Sequence, residues 1–210
     1  MKIWGRNNSS NVQKVLWLLA ELDIPFDRVD AGMAHGVVNT PDYRAKNPNG
    51  RVPTLEDDGF VLWESNSILR YISMHHPALT ASLYPTDPAA RASVDRWLDW
   101  QLSTVTPAER DLFWGMIRTK PEDRDMTAIN AAIKASAACW AILEDRLLSH
   151  KGPFIEGANF TLADIVLGVY VRRWFTIAVP DRPSLPAVGA WYARLQARPS
   201  FAVAFVAPLT

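Results

Sequence analysis

Apolar residues at Val12, Val15, Leu16 and Leu19 follow the i, i+3, i+4, i+7 spacing of one helical face. Ser9, Ser10 and Asn11 are all good N-cap residues, so the spacing predicts a helix that opens among them and stops at Ile24-Pro25. A short strand is expected at residues 2 to 4, ending at Gly5, and a second at residues 27 to 30. Residues 54 to 56 and 60 to 63 read as two further strands joined through Asp57-Asp58-Gly59. Ile68, Leu69 and Ile72 return to helical spacing, behind an opening at Glu64 and Ser65. The order is β-α-β-irregular-β-β-α, and strand–helix–strand implies a right-handed parallel crossover.

Prolines at 77, 85 and 88 then interrupt the pattern, and residues 77–87 are assigned to a linker. No strand pattern follows. Residues 91 to 116 are rich in helix formers and aromatics, with Pro107 expected to kink or interrupt them. Residues 125 to 148 form an alanine-rich amphipathic stretch through Ile129, Ile133, Trp140 and Leu143. Residues 163 to 175 are nearly apolar throughout, which predicts a buried helix, and residues 184 to 197 give one more before Pro199. Thr161-Leu162-Ala163-Asp164 has the logic of a capping box at the head of the buried helix. The fold class is therefore an α/β segment over residues 1–76 and an all-α segment over residues 88–210.

Composition narrows the function classes. Lysine plus arginine equal aspartate plus glutamate at 22 each, so there is no basic excess for a nucleic-acid footprint. One cysteine, Cys139, excludes an intrachain disulfide framework, fits a reducing compartment and reads as a small buried hydrophobe. His75-His76 is adjacent rather than spaced along a helix face, so no metal site is expected. The N-terminal residues lack the apolar core of a signal peptide, and Val15 to Ala20 is too short a stretch to span a bilayer. The expected setting is cytoplasmic, without membrane or nucleic-acid partners.

Candidate chemistry gathers between residues 47 and 72. Asn47 to Gly50 is a turn cluster, Val52-Pro53 precedes the third strand, and Glu64-Ser65 heads a helix. This order resembles the glutathione-binding half of the cytosolic glutathione S-transferases, and the likeness extends over the full chain. The resemblance implies a thioredoxin-like N-terminal domain, a cis Val52-Pro53 bond and an all-helical C-terminal domain. It also implies a homodimer with glutathione as co-substrate in detoxification chemistry. Val52 would pair its backbone with the cysteinyl unit beside Pro53. Glu64 and Ser65, at the amide-rich helix start, suit the ammonium and carboxylate of the γ-glutamyl end. Arg51 is the first candidate for the glycyl carboxylate and His35 the second.

A thiol of pKa about 8.5 needs help to ionise near neutrality. No tyrosine precedes Tyr43 and no cysteine precedes Cys139, which removes the tyrosine- and cysteine-type enzymes. Alignment with theta-like serine enzymes points to Ser9, bacterial nu-like members point to Asn11, and Ser10 ranks third. Asn11 stands where isomerase (zeta) members carry cysteine, against an isomerase. Phe113, Trp114 and Arg118 are expected to line a pocket for a small hydrophobic electrophile, with plain packing as the alternative. Two other functions fit the same resemblance. One is a glutathione-dependent disulfide or peroxide reductase; the other is a non-catalytic interaction protein that keeps the fold.

Overall fold

The structure is a computed structural model, and it describes residues 1–150 and 152–210. The chain divides into two compact units, Met1–Tyr84 with Arg198–Pro208, and Pro85–Ala197 with Leu209–Thr210. The division falls inside the stretch read as a linker, which also carries a short helix, Pro77–Thr80.

In the first unit, β1 (Lys2–Trp4), α1 (Ser10–Glu21) and β2 (Asp27–Val29) form the expected crossover. The strands β1 and β2 run parallel, with Lys2 opposite Asp27. The hairpin of β3 (Thr54–Asp57) and β4 (Phe60–Trp63) adds antiparallel to β1, giving the order β2-β1-β3-β4. This is the thioredoxin-like arrangement. Asp57 pairs with Phe60, so the hairpin loop is the two residues Asp58-Gly59, one shorter than the sequence suggests. Both adopt positive φ, 46° and 85°, matching the right-handed twist of the flanking strands.

Two further helices of this unit were not expected. The first, α2 (Pro41–Lys46), opens with Thr40 accepting from the Tyr43 amide and Pro41 in its first turn. The other short helix, Pro199–Ala204, begins at Pro199 and joins the first unit although 113 residues, 85 to 197, separate its segment from the rest. Aromatic packing explains this: Trp17 of α1 meets Phe201 and Phe205 edge-on at 5.3 and 5.4 Å. Arg198 and Ser200 also bond Glu21.

Helix α3 (Ser65–His75) packs on α1. In chain order Pro77–Thr80 is α4, and the second unit begins with α5 (Pro88–Trp100). A π-turn over Gln101–Val105 leads into α6 (Thr106–Phe113) without leaving helical dihedrals. Pro107 therefore does not break this helix. The wider turn before it absorbs the missing amide and ring clash, and Thr106 Oγ1 donates to the Gln101 carbonyl at 2.9 Å.

The long helix α7 (Met126–Ser149) buries a stripe through Ile129, Ala132, Cys139, Trp140, Leu143 and Leu147. By length and composition α7 is able to cross a membrane, unlike the short stretch in α1; its apolar stripe packs on α6 and on α9 (Pro186–Gln196). Its Glu144 accepts from the Ala187 and Val188 amides at 2.9 and 2.8 Å, capping α9 from outside. The helix expected to be buried, α8 (Leu162–Thr176), has solvent-free residues from Leu162 to Val171. The last helix, Pro199–Ala204, is α10.

Candidate active site

Three segments of the first unit converge near the end of β1. At Gly5, with φ 154°, a Cβ atom would lie 2.4 Å from Val12 of α1 and 3.3 Å from Val52. A side chain there would push apart the start of α1 and the Val52-Pro53 segment. That segment is tied down from behind. Tyr43 Oη donates to the Arg51 carbonyl at 2.7 Å, and Asn47 Nδ2 donates to the same carbonyl at 2.9 Å and to Thr54 Oγ1 at 3.0 Å. The Val52-Pro53 bond is cis, as the resemblance implied. Among the described residues nothing hydrogen-bonds the Val52 backbone, which leaves a peptide group free for an extended ligand.

The third segment is the start of α3. Its first intrahelical bond runs from the Ile68 amide to the Glu64 carbonyl at 2.9 Å, so the amides of Ser65, Asn66 and Ser67 have no acceptor within the helix. Glu64 occupies the cap position at φ 72°, a left-handed conformation that costs a non-glycine residue about 1 kcal/mol. Its side chain makes no capping bond and is exposed. The plain capping role therefore does not account for Glu64. Ser65 and Asn66 are buried.

At the head of α1, Ser9 is the cap residue by backbone position, yet its side chain caps nothing. Its hydroxyl makes no hydrogen bond among the described residues, whereas Ser10 is buried and engaged. Asn11 is half-buried, and its Oδ1 accepts from Ser65 Oγ at 3.4 Å. With Oδ1 turned to Ser65, the Asn11 amide group retains its N–H donors. The structure thus brings Asn11 to Ser65 across 54 residues.

Sequence reasoning missed Lys14. It is fully buried, with Nζ 3.1 Å from Asn66 Oδ1 and 3.4 Å from Ser65 Oγ. A lysine beside an apolar stripe is ordinarily assigned to solvent. The available signal was its spacing, three residues after Asn11 and so on the same side of the helix.

The remaining candidates are more open. Arg51 is exposed, and so is His35, whose Nε2 is 3.8 Å from Asp30 Oδ1. In the second unit Phe113 is buried while Trp114 remains 50% exposed. The Arg118 guanidinium lies 5.0 Å from the Phe113 ring centre and 4.4 Å from that of Trp114. Arg173 covers Phe113 at 4.0 Å. Burial and the charge of Arg173 both pull the Arg118 pKa below its ordinary value.

Comparison with known proteins agrees with this geometry. Residues 1–74 match the family model of the glutathione S-transferase N-terminal domain, and residues 126–194 match that of the C-terminal domain. The chain is 37% identical over 210 residues to glutathione S-transferase GstB of Escherichia coli K12, covering 99% of each. It is 28% identical over 183 residues to the theta-1 enzyme of Rattus norvegicus, covering 83% of this chain and 73% of that one. Among solved structures it is similar to the theta class glutathione S-transferase of Xanthomonas axonopodis pv. citri with glutathione bound. That match has a TM-score of 0.93 and 44% identity, over 100% of this chain and 98% of that one. With both domain models matched in order and a relative aligned end to end, the chain belongs to the glutathione S-transferase family.

Proposed function

We propose that this chain binds glutathione in its first unit and ionises the thiol for attack on a small hydrophobic electrophile. One observation carries the reading. Two helix starts meet at the Ser65–Asn11 contact, and neither leading side chain, Ser9 or Glu64, is used for capping. The γ-glutamyl carboxylate is assigned to Ser65 and the α3 amides, and its ammonium to Glu64. The cysteinyl unit pairs with the unbonded Val52 backbone beside Pro53. Arg51, with His35 second, takes the glycyl carboxylate. Calorimetry tests the assignment: the unmodified protein binds glutathione, and Ser65→Ala weakens binding by about 1–3 kcal/mol. Absence of binding by the unmodified protein sinks the reading.

For the thiol we choose Ser9, because its hydroxyl is uncommitted and it stands at the cap position of α1; Asn11, whose N–H donors remain when its Oδ1 accepts from Ser65, is the second choice. A donor to sulfur stabilises thiolate over thiol, so removing it raises the bound thiol's pKa. The pH dependence of thiolate absorbance in the glutathione complex should shift upward in Ser9→Ala and less in Asn11→Ala. The reverse order transfers the role to Asn11.

The electrophile is assigned to Phe113, Trp114 and Arg118, where an exposed indole and a stacked cation offer a flat apolar contact. Disulfide or peroxide reduction by the same glutathione thiolate, which Asn11 favours, is the second reading; Cys139, the single cysteine, is buried with its thiol pKa raised by burial and by Glu109 and takes no part in either. That buried free thiol also supports a cytoplasmic setting. A homodimer is supported by Phe60 and Trp63, exposed on the edge strand β4; a monomer by light scattering would exclude it.

A further inference from the structure

The glutathione reading leaves one conspicuous group without a role, the fully buried ammonium of Lys14. We propose that Lys14 is a positioning residue of the glutathione site. Through Ser65 and Asn66 it sets the polarity of the α3 start and supplies the positive charge that recognises the γ-glutamyl carboxylate. The proposal rests on the glutathione reading and names a residue for it.

Burying an ammonium is unfavourable unless its site is arranged for it. An ammonium has three donors and no acceptor, so both neighbours must face Nζ through oxygen. Ser65 Oγ, at 3.4 Å, is therefore held as an acceptor toward Lys14, and its own hydrogen points elsewhere. In this structure that hydrogen goes to Asn11 Oδ1, at 3.4 Å. Asn66, whose Oδ1 is 3.1 Å from Nζ, is oriented in the same way. The result is a directed chain, Lys14 to Ser65 to Asn11, in which every donor points away from the buried charge. Asn11 and Lys14 are three residues apart on α1, so one helix supplies both ends of the chain and α3 supplies the middle.

A carboxylate arriving at the α3 start meets a hydroxyl already polarised as a donor, the amide-rich helix start, and a buried cation behind the hydroxyl. The recognised group is the α-carboxylate of the γ-glutamyl residue. It is not the thiol, nor the glycyl end assigned to Arg51.

The test compares glutathione with 4-aminobutanoyl-cysteinyl-glycine, which lacks that one carboxylate, on unmodified protein and on Lys14→Met, which keeps the length and loses the charge. Glutathione should bind Lys14→Met roughly 10- to 100-fold more weakly, the range for a charge-assisted hydrogen bond. The truncated peptide should bind both proteins equally. Equal weakening of the two peptides, or no weakening of either, overturns the proposal in favour of simple packing. If Lys14→Met does not fold, ¹⁵N–¹H spectra of the lysine ammonium groups in the unmodified protein decide. A buried resonance that moves with glutathione and not with the truncated peptide supports the proposal, and one that responds alike to both overturns it. Unmodified protein that binds neither peptide refutes the glutathione reading itself, a result distinct from any of these.

Discussion

Replacing Asp164 by alanine should destabilise the protein by about 3–5 kcal/mol, several times the loss of an ordinary helix cap. The sequence identifies Asp164 as the closing residue of a capping box, which by itself implies about 1 kcal/mol. The structure gives it more to hold. Its Oδ2 accepts from the Thr161 amide at 2.8 Å and from Thr161 Oγ1 at 3.0 Å. Its Oδ1 accepts from the Ile155 amide at 3.1 Å and the Trp191 indole at 2.8 Å. The carboxylate is wholly buried, so alanine would strand three N–H donors away from water. Each stranded donor costs about 1–3 kcal/mol, less what relaxation recovers. It also joins the head of α8 to α9 and to the loop before it. Asp164→Asn keeps one acceptor and should lose about half as much. Urea denaturation of the three proteins provides the check, and an alanine cost below about 1 kcal/mol would mean the network contributes no more than a cap.

The second large effect is a dependence on pH. Glu109 of α6 is 1% exposed, and neither carboxyl oxygen has a hydrogen-bond partner among the described residues. The Trp140 indole nitrogen also lacks a partner, facing the carboxyl without meeting hydrogen-bond geometry. Burial pushes the Glu109 pKa up to about 8, against a smaller opposing pull from the charge of Arg173. The folded protein therefore keeps a proton that the unfolded chain has released above its ordinary pKa of 4.5. The stability this represents is complete below pH 4.5 and is lost as pH rises through about 8, amounting to roughly 4–5 kcal/mol. Asp164 shifts in the same direction, to about 6 by burial, so its own loss ends at lower pH. Above about pH 7 the Asp164 contribution has ended and that of Glu109 continues. Glu109→Gln, neutral at every pH, should match the unmodified protein near pH 4.5 and exceed it by several kcal/mol at pH 8.5. Parallel stability curves for the two proteins across this range would show that Glu109 does not carry the dependence.

Most of the elements were legible because their signals are local. The spacing of Val12, Val15, Leu16 and Leu19 gave α1, Asp58-Gly59 gave the hairpin, and Thr161 with Asp164 marked the start of α8. Caps, turns and one-sided apolar stripes depend on residues within a turn or two of each other. The order Val52-Pro53 then Glu64-Ser65 likewise named the family from a stretch of 14 residues.

What tertiary structure decided was partnership across distance. The sequence alone determined that Ser9 and Glu64 stand at helix starts; only the fold leaves their side chains unused for capping. It placed Lys14 on an amphipathic helix, where a charge reads as solvent-facing, and the packing of α1 on α3 put that charge against Ser65 and Asn66. Pro107 carried a helix-breaking signal, and the π-turn before it removed the break. Arg198–Pro208 returned to the first unit because Trp17 offers Phe201 an aromatic surface 184 residues earlier. In each case the deciding energy is desolvation or packing between groups far apart in the chain, and local periodicity carries no record of which distant surface a side chain will meet.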